Sequence, residues 1–408
     1  MKINITAKIV AAFLSLAVAF AGAASSRNFA EFVADDTLIA NADRSNELAT
    51  EAYAIDLGLT CQSAVLMEAS TGKVLYAHNE SEALPPASVT KVMTLLLIME
   101  AIDSGTIGYS DMVTASANAA SMGGSQIYLK EGERMSVDDL LKSIVIASAN
   151  DAAVALAEHI AGSEEAFVTK MNERATELGM KSTNFENTNG LDDTTEEHLT
   201  SALDIAIMSR ELIKHKKILE YSSTWMDTIR DGSFGLTNTN RLIRFYQGAT
   251  GLKTGSTSKA GFCISATANK NGMELICVIM AAETRDIRNA EAKTLLDWGY
   301  SNYELYKCNA EALGEMRVEG SNDCVIDVTG GEFSCVVKKG SASKIQKKTE
   351  IFSSVAAPLK KGDKIGNITL TLGEEVVGNI DVVSGENVDR IGYLQIFTKM
   401  IKSFFLSA

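Results

Sequence analysis

From Ser63 to Asn79 the chain reads SAVLMEASTGKVLYAHN. Two β-rich runs sit on either side of Ser70-Thr71-Gly72, the pattern of a hairpin. Next comes LPPASVTKVMTLLLIMEAI, Leu84 to Ile102, in which a proline pair leads into an almost unbroken apolar helix. A long helical middle follows. It carries SVDDLLKSIVIASANDAAVALAEHIAG, where Ser136 and Asp139 resemble a capping box at the start of an apolar helix. After a polar loop around Asn184 to Glu197, another helix is expected to about Leu219. Strand patterning then returns as two runs, 251–269 and 273–282, joined at Lys270-Asn271-Gly272, and Asn-Gly between β-rich runs is a strong hairpin signal. A closing helix is expected from Arg285 to Tyr300. Strands at both ends of a helical centre predict an α+β arrangement.

Beyond Cys308 the texture changes. Short β-rich runs such as CVIDVTG, FSCVVKKG and NITLTLG alternate with Gly and Lys turns up to about Val383, which predicts a small all-β domain without chemistry of its own. The tail ENVDRIGYLQIFTKMIKSFFLSA changes again. Ile391, Leu394, Phe397, Ile401, Phe404 and Phe405 recur at three- and four-residue spacing, with Arg390, Gln395, Lys399, Lys402 and Ser403 on the other face. That is an amphipathic helix, too short and too charged to span a bilayer but suited to lying in its interface. The alternative is a terminal helix packed on its own protein.

The first residues, MKINITAKIVAAFLSLAVAFAGAASS, place Lys2 and Lys8 before an apolar run and a small-residue exit, the anatomy of a cleaved export signal. The expected divisions are 1–24 signal, 25–55 acidic lead-in, 56–305 main domain, 306–384 β-domain and 385–408 amphipathic helix. A net charge of −14 argues against nucleic acid as a partner, which calls for a basic face. Six cysteines and four histidines show no metal-ligand spacing, so neither a structural zinc nor a metallohydrolase is expected. Cys263 and Cys277 fall in adjacent apolar runs, either facing each other or buried as free thiols.

The candidate chemistry lies at the root of the proline-led helix. Ser88 and Lys91 are three residues apart and share a helix face. A lysine in apolar surroundings loses its proton more easily, and a neutral amine beside a hydroxyl is a base beside a nucleophile. Ser148 and Asn150 stand at a break between helices, where their side chains can project into a cleft. Lys253-Thr254-Gly255 opens a β-run in which the glycine lets another backbone come close. Each group also has a plain reading, as a surface lysine, a helix cap and a turn-to-strand junction.

Taken together, Ser88-x-x-Lys91, Ser148-x-Asn150 and Lys253-Thr254-Gly255 resemble the three motifs of penicillin-recognising serine enzymes. The surroundings PPASVTKVMT, SANDAA, FENTNGLDD, NTNRL and GLKTGSTSKAGFC are most similar to the D-alanyl-D-alanine carboxypeptidases, the low-molecular-mass penicillin-binding proteins. The resemblance implies a transpeptidase-like α+β fold, an antiparallel sheet flanked by helices, followed by the β-domain and a membrane-associated helix, and it calls for no cofactor. It also implies export to the outer face of the cytoplasmic membrane or cell wall, with work in peptidoglycan synthesis and remodelling and hence in cell shape. Ser88 would be the nucleophile acylated by peptidoglycan pentapeptide or by a β-lactam, and Lys91 its base. Ser148 would relay a proton to the leaving amine with Lys253 holding its electrostatics, while Asn150 contacts Lys91 and the substrate amide. Thr254 would bind the terminal carboxylate, and the backbone N–H groups of Ser88 and Ser256 would form the oxyanion hole beside Gly255.

Two rivals share these motifs. A serine β-lactamase needs a deacylating base, for which Glu186 in NFENTNGL is the candidate, although it lacks the spaced asparagine partner of a lactamase glutamate. A degenerate homologue would bind wall peptides without cleaving them, but every polar side chain of the motifs is present.

Overall fold

The computed structural model describes residues 55–406, apart from Thr194 and Asp323. The expected signal and nearly all of the acidic lead-in therefore lie outside the described residues. Strands β1 (Ser63–Glu68) and β2 (Val74–His78) form the first hairpin, turning through Gly72 at φ +72°. A 3-10 turn, Ala87–Thr90, runs into helix α1 (Lys91–Asp103). After the short strand β3 (Met112–Thr114) come α2 (Ala117–Ser121) and β4 (Arg134–Ser136), which pairs with β3. Helix α3 (Val137–Ala147) is capped by Ser136, whose hydroxyl accepts the Asp139 N–H at 3.1 Å. Helices α4 (Asn150–Ala161), α5 (Glu164–Glu177), α6 (Ala202–Leu212) and α7 (Lys216–Ser222) complete the helical centre.

A small hairpin, β5 (Met226–Ile229) and β6 (Phe234–Thr237), and a single turn, α8 (Leu242–Phe245), lead back to the sheet. The expected strand over 251–269 is in fact two: β7 (Ala249–Thr257) and β8 (Gly261–Lys270), turning at residues 258–260. Ser258-Lys259-Ala260 carries no Asn-Gly signal, and Gly261 at φ +62° closes the turn instead. Strand β9 (Met273–Ala282) pairs with β8 across Asn271 and Gly272, both at positive φ. The sheet order is β2-β1-β9-β8-β7, antiparallel throughout, so the first hairpin is sealed to the last by β1 on β9.

Period-two alternation divides this sheet between two cores. Val65, Met67, Cys263 and Val278 face the helical centre. Ala64, Leu66, Cys277 and Ile279 face helix α9 (Arg285–Asn302), packing against Leu295 and Leu296. Cys263 and Cys277 thus lie on opposite faces, both buried as free thiols. Coverage on both faces explains why β9 reads as an unbroken apolar run.

Beyond α9, β10 (Tyr303–Cys308), β11 (Glu311–Glu319), β12 (Val325–Gly330), β13 (Phe333–Lys338), β14 (Ile345–Ile351), β15 (Val355–Ala356), β16 (Lys364–Leu372) and β17 (Glu375–Ser384) form a β10–β13 pair and a six-stranded sheet. Their own core includes Ile326, Ile365, Ile368, Leu370 and Val382. The terminal helix α10 spans Tyr393–Leu406 rather than starting at 385. Val388 is buried in the β core and exchanges backbone hydrogen bonds with Leu359, so residues just after β17 still belong to the β-domain.

Candidate active site

Ser88 sits half-buried in the 3-10 turn, and Lys91 opens α1 with its side chain wholly buried. Three residues separate them, and Lys91 Nζ lies 2.9 Å from Ser88 Oγ. The other two neighbours of that amine come from far along the chain: Asn150 Oδ1 at 2.6 Å and the Asn189 carbonyl at 2.7 Å. No carboxylate hydrogen-bonds to it among the described residues. Burial, and secondarily the charge of Lys253, hold its pKa well below the ordinary 10.5.

Asn150 is oriented by its own amide. Its Nδ2 donates to the Gly123 carbonyl at 2.7 Å, which turns Oδ1 toward Lys91. Its backbone N–H donates to the Ser125 carbonyl, while the carboxylate of the next residue, Asp151, accepts from the N–H groups of Ile127 and Leu129. The first turn of α4 thereby cinches residues 123–129 against the cleft. The Asn189 carbonyl is presented by a loop stapled by Asn187, whose Oδ1 accepts from Asn189 and Gly190 and whose Nδ2 donates to Leu191.

Ser148 caps α3 in the left-handed conformation, φ +64°, which turns its hydroxyl toward β7. There Lys253 Nζ donates to Ser148 Oγ at 2.9 Å and to the Thr254 carbonyl at 2.8 Å. Lys253 is fully buried. Burial first, then the nearby Arg288 charge, lower its pKa to about 7. Gly255 brings the edge strand against the serine: a Cβ there would lie 2.8 Å from both the Ser88 nitrogen and the Pro86 carbonyl. Ser256 follows, exposed at the cleft. All eight residues expected from the motifs converge here, around a cleft of about 600 Å³.

Five further residues belong to this place and were given no role from sequence. Thr239 and Thr254 hydroxyls are 2.8 Å apart, and Asn238 and Asn240 shape the Thr239 turn by bonding the Ser222 and Gly251 carbonyls. Ser125 lines the cleft. Arg288, in the first turn of α9, is only 3% exposed. It donates to the Cys263 carbonyl and to Asn289, and pairs with no carboxylate among the described residues. The Asn-Thr-Asn segment was the available signal for Thr239. Arg288 had none, since nothing in the local sequence of α9 tells which of its residues reach the cleft, where Arg285 and Arg288 arrive from its first turn.

Glu186 is turned away. It is exposed, and its Oε2 accepts the Glu196 and Glu197 N–H groups at 3.1 and 3.3 Å. It holds the ends of its own loop together and contacts neither Ser88 nor Lys91, so the lactamase reading lacks its base.

A sequence profile of the D-alanyl-D-alanine carboxypeptidases matches residues 49–284, and one of the C-terminal domain of penicillin-binding protein 5 matches 300–390. Over 359 residues the chain is 45% identical to D-alanyl-D-alanine carboxypeptidase DacF of Bacillus subtilis, covering 86% of this chain and 89% of that one. The structure of penicillin-binding protein 5 from Haemophilus influenzae superposes with a TM-score of 0.72 at 31% identity, over 83% of this chain and all of that one. A penicillin-binding protein of Listeria monocytogenes in its ampicillin-bound form superposes at 0.56 with 30% identity, over 60% of this chain and 100% of that one.

Proposed function

Since the chain belongs to the D-alanyl-D-alanine carboxypeptidase family of serine hydrolases, and hydrolyses the D-Ala–D-Ala bond, we propose the following division of labour among its residues. A neutral lysine has two N–H donors and one lone pair. Asn150 Oδ1 and the Asn189 carbonyl are acceptors only, so they take the two N–H groups and leave the lone pair for the Ser88 hydroxyl. Lys91 takes that proton as Ser88 Oγ bonds to the carbonyl carbon of the penultimate D-alanine. The developing oxyanion is held by the N–H groups of Ser88 and Ser256. As the C–N bond breaks, Ser148 relays a proton to the departing amine, with Lys253 setting its electrostatics. Water then cleaves the acyl-enzyme.

Thr254 and Arg288 receive the terminal carboxylate. A buried guanidinium with no carboxylate of its own is the counter-charge such a ligand requires. Asn150 is also placed to meet the substrate amide. β-Lactams acylate the same serine. The single observation that carries this reading is the isolated Lys91 amine, buried and 2.9 Å from Ser88 Oγ. Mass spectrometry of penicillin-treated protein tests it. The adduct is expected on the peptide containing Ser88, with a lifetime long compared with lactamase turnover. An adduct on another residue, or one lost within a turnover, would overturn the reading.

Family members act on peptidoglycan in the periplasm or cell wall. For this chain, the composition of residues 1–24 supports export, and the separate core beyond β10 supports a domain division near residue 305. Helix α10 lies on the membrane surface. No described helix is long and apolar enough to cross a membrane. Yet Tyr393 is 94% exposed, and Leu394 and Phe404 82%, a larger apolar surface than a helix packed on its own protein would leave to water. Deleting Gly392 onward spares Val388 and the β core. D-alanine release should then be unchanged while co-sedimentation with liposomes is lost; sedimentation equal to that of the intact protein would refute the anchor.

A further inference from the structure

His198 is buried 108 residues downstream of the serine turn, in no motif used above. Its ring stands edge-on to Phe185, and its hydrogen bonds define its tautomer. Nδ1 faces the Glu186 backbone N–H at 2.9 Å, which can only donate, so Nδ1 accepts and the ring proton sits on Nε2. Nε2 is 2.7 Å from Thr90 Oγ1. The Thr90 hydroxyl in turn donates to the Ala87 carbonyl at 2.8 Å. The chain therefore runs one way: His198 to Thr90 to Ala87. Burial lowers the ring's pKa to about 4, so the neutral tautomer persists at physiological pH.

The end of that chain is an unusual residue. Ala87 has φ +48°, a left-handed conformation that an L-residue with a Cβ seldom adopts and keeps only where its surroundings over-determine it. Its carbonyl is clamped from a second side by Gly190, where a Cβ would come within 1.9 Å of the oxygen. In a planar trans peptide the carbonyl of one residue and the N–H of the next point in opposite directions. Whatever holds the Ala87 oxygen thereby aims the Ser88 N–H. A hydrogen bond to that oxygen also polarises the peptide and strengthens its N–H as a donor.

We propose that His198, acting through Thr90, is a positioning residue for the oxyanion hole, because it locks the Ala87–Ser88 peptide plane that presents the Ser88 N–H. The proposal rests on the assignment of that N–H as an oxyanion donor. It connects the loop that carries the Asn189 carbonyl, and so the Lys91 amine, with the second half of the catalytic centre.

Thr90→Val removes the hydroxyl at nearly constant volume, and His198→Gln removes the ring. Each should lower kcat on a D-Ala–D-Ala pentapeptide on the order of 10- to 100-fold, less than the ~10²–10³ for loss of a whole donor. KM should stay nearly unchanged. Affinity for an alkylboronic acid, whose adduct on Ser88 carries the oxyanion, should fall in parallel, and Thr90→Ser should restore both. A purely structural role would instead lower the melting temperature and the fraction of enzyme titrated by penicillin while the titrated fraction keeps wild-type kcat, and that result overturns the proposal. Should Thr90→Val not fold, His198→Gln decides. Replacing the Ala87–Ser88 amide with an ester, by installing the α-hydroxy analogue of serine at 88, deletes the N–H itself. An unchanged rate there sinks the donor assignment. A slow ester variant beside fully active Thr90→Val and His198→Gln leaves the assignment standing and rejects the relay.

Discussion

Ser88→Ala protein should fold and release no measurable D-alanine from a pentapeptide, with kcat reduced by at least about 10⁴-fold, and should take no covalent β-lactam label. The size follows from the division of labour: Lys91, Ser148 and Lys253 act only on protons and charge around an acyl transfer that needs the Ser88 oxygen. Removing one member of such a unit costs nearly as much as removing all of it. Folding should survive because Ser88 is half-buried and, among the described residues, its side chain hydrogen-bonds to Lys91 alone. Thermal denaturation and substrate binding check that the loss is chemical. Residual kcat within tenfold of wild type would sink the assignment, and D-alanine release by the wild type that the substitution abolishes is what separates an enzyme from a mere binding module.

Lys91→Met keeps the length and apolar character of the buried side chain but removes the base. Acylation should slow by roughly 10²–10⁴-fold, the usual range for a positioned general base, and stopped-flow capture of a β-lactam measures it. In the wild type only the neutral amine is competent. The acylation rate should therefore rise with pH through the folded pKa of Lys91 and level off well below 10.5; the variant should show no such rise. Stability carries the matching sign. Between the lowered folded pKa of a buried lysine and its ordinary 10.5, the unfolded chain binds the extra proton, so stability increases with pH across that window. Below the folded pKa both states are protonated and the cost of burial is present in full; above 10.5 it is absent. Lys253 contributes this slope from about 7 to 10.5, and Lys91 contributes over its own window. Urea midpoints of Lys91→Met should thus climb less steeply with pH than those of the wild type. Equal slopes would mean that the amine is charged in the folded protein.

The elements whose signals are local were legible. The hairpin at Gly72, the proline-led helix, the Ser136 cap and the Asn271-Gly272 turn each depend on residues within a few positions of one another. The differences lie where a local signal is weak or where the deciding contact is distant. The run 251–269 looks like one strand because β7 is itself rich in polar residues up to Thr257, so the polar Ser258-Lys259 turn does not stand out from it. The terminal helix starts at Tyr393 rather than at 385 because Val388, an ordinary-looking residue in ENVDRIG, is bridged to Leu359 in the segment between β15 and β16.

The site divides along the same line. Sequence alone determined that a hydroxyl and an amine three residues apart share one face at the start of a helix, because helical geometry is a local property. It also determined which other side chains could join them, because few residue types can donate, accept or carry charge in that way. Only the tertiary structure decided that Lys91 is dry, that its N–H groups are claimed by Asn150 and Asn189, and that Arg288 brings a guanidinium to the Thr254 side of the cleft. Desolvation, the aim of a lone pair and the tautomer of His198 depend on what surrounds a group in space. Those surroundings are assembled here from segments 59, 98 and 108 residues apart.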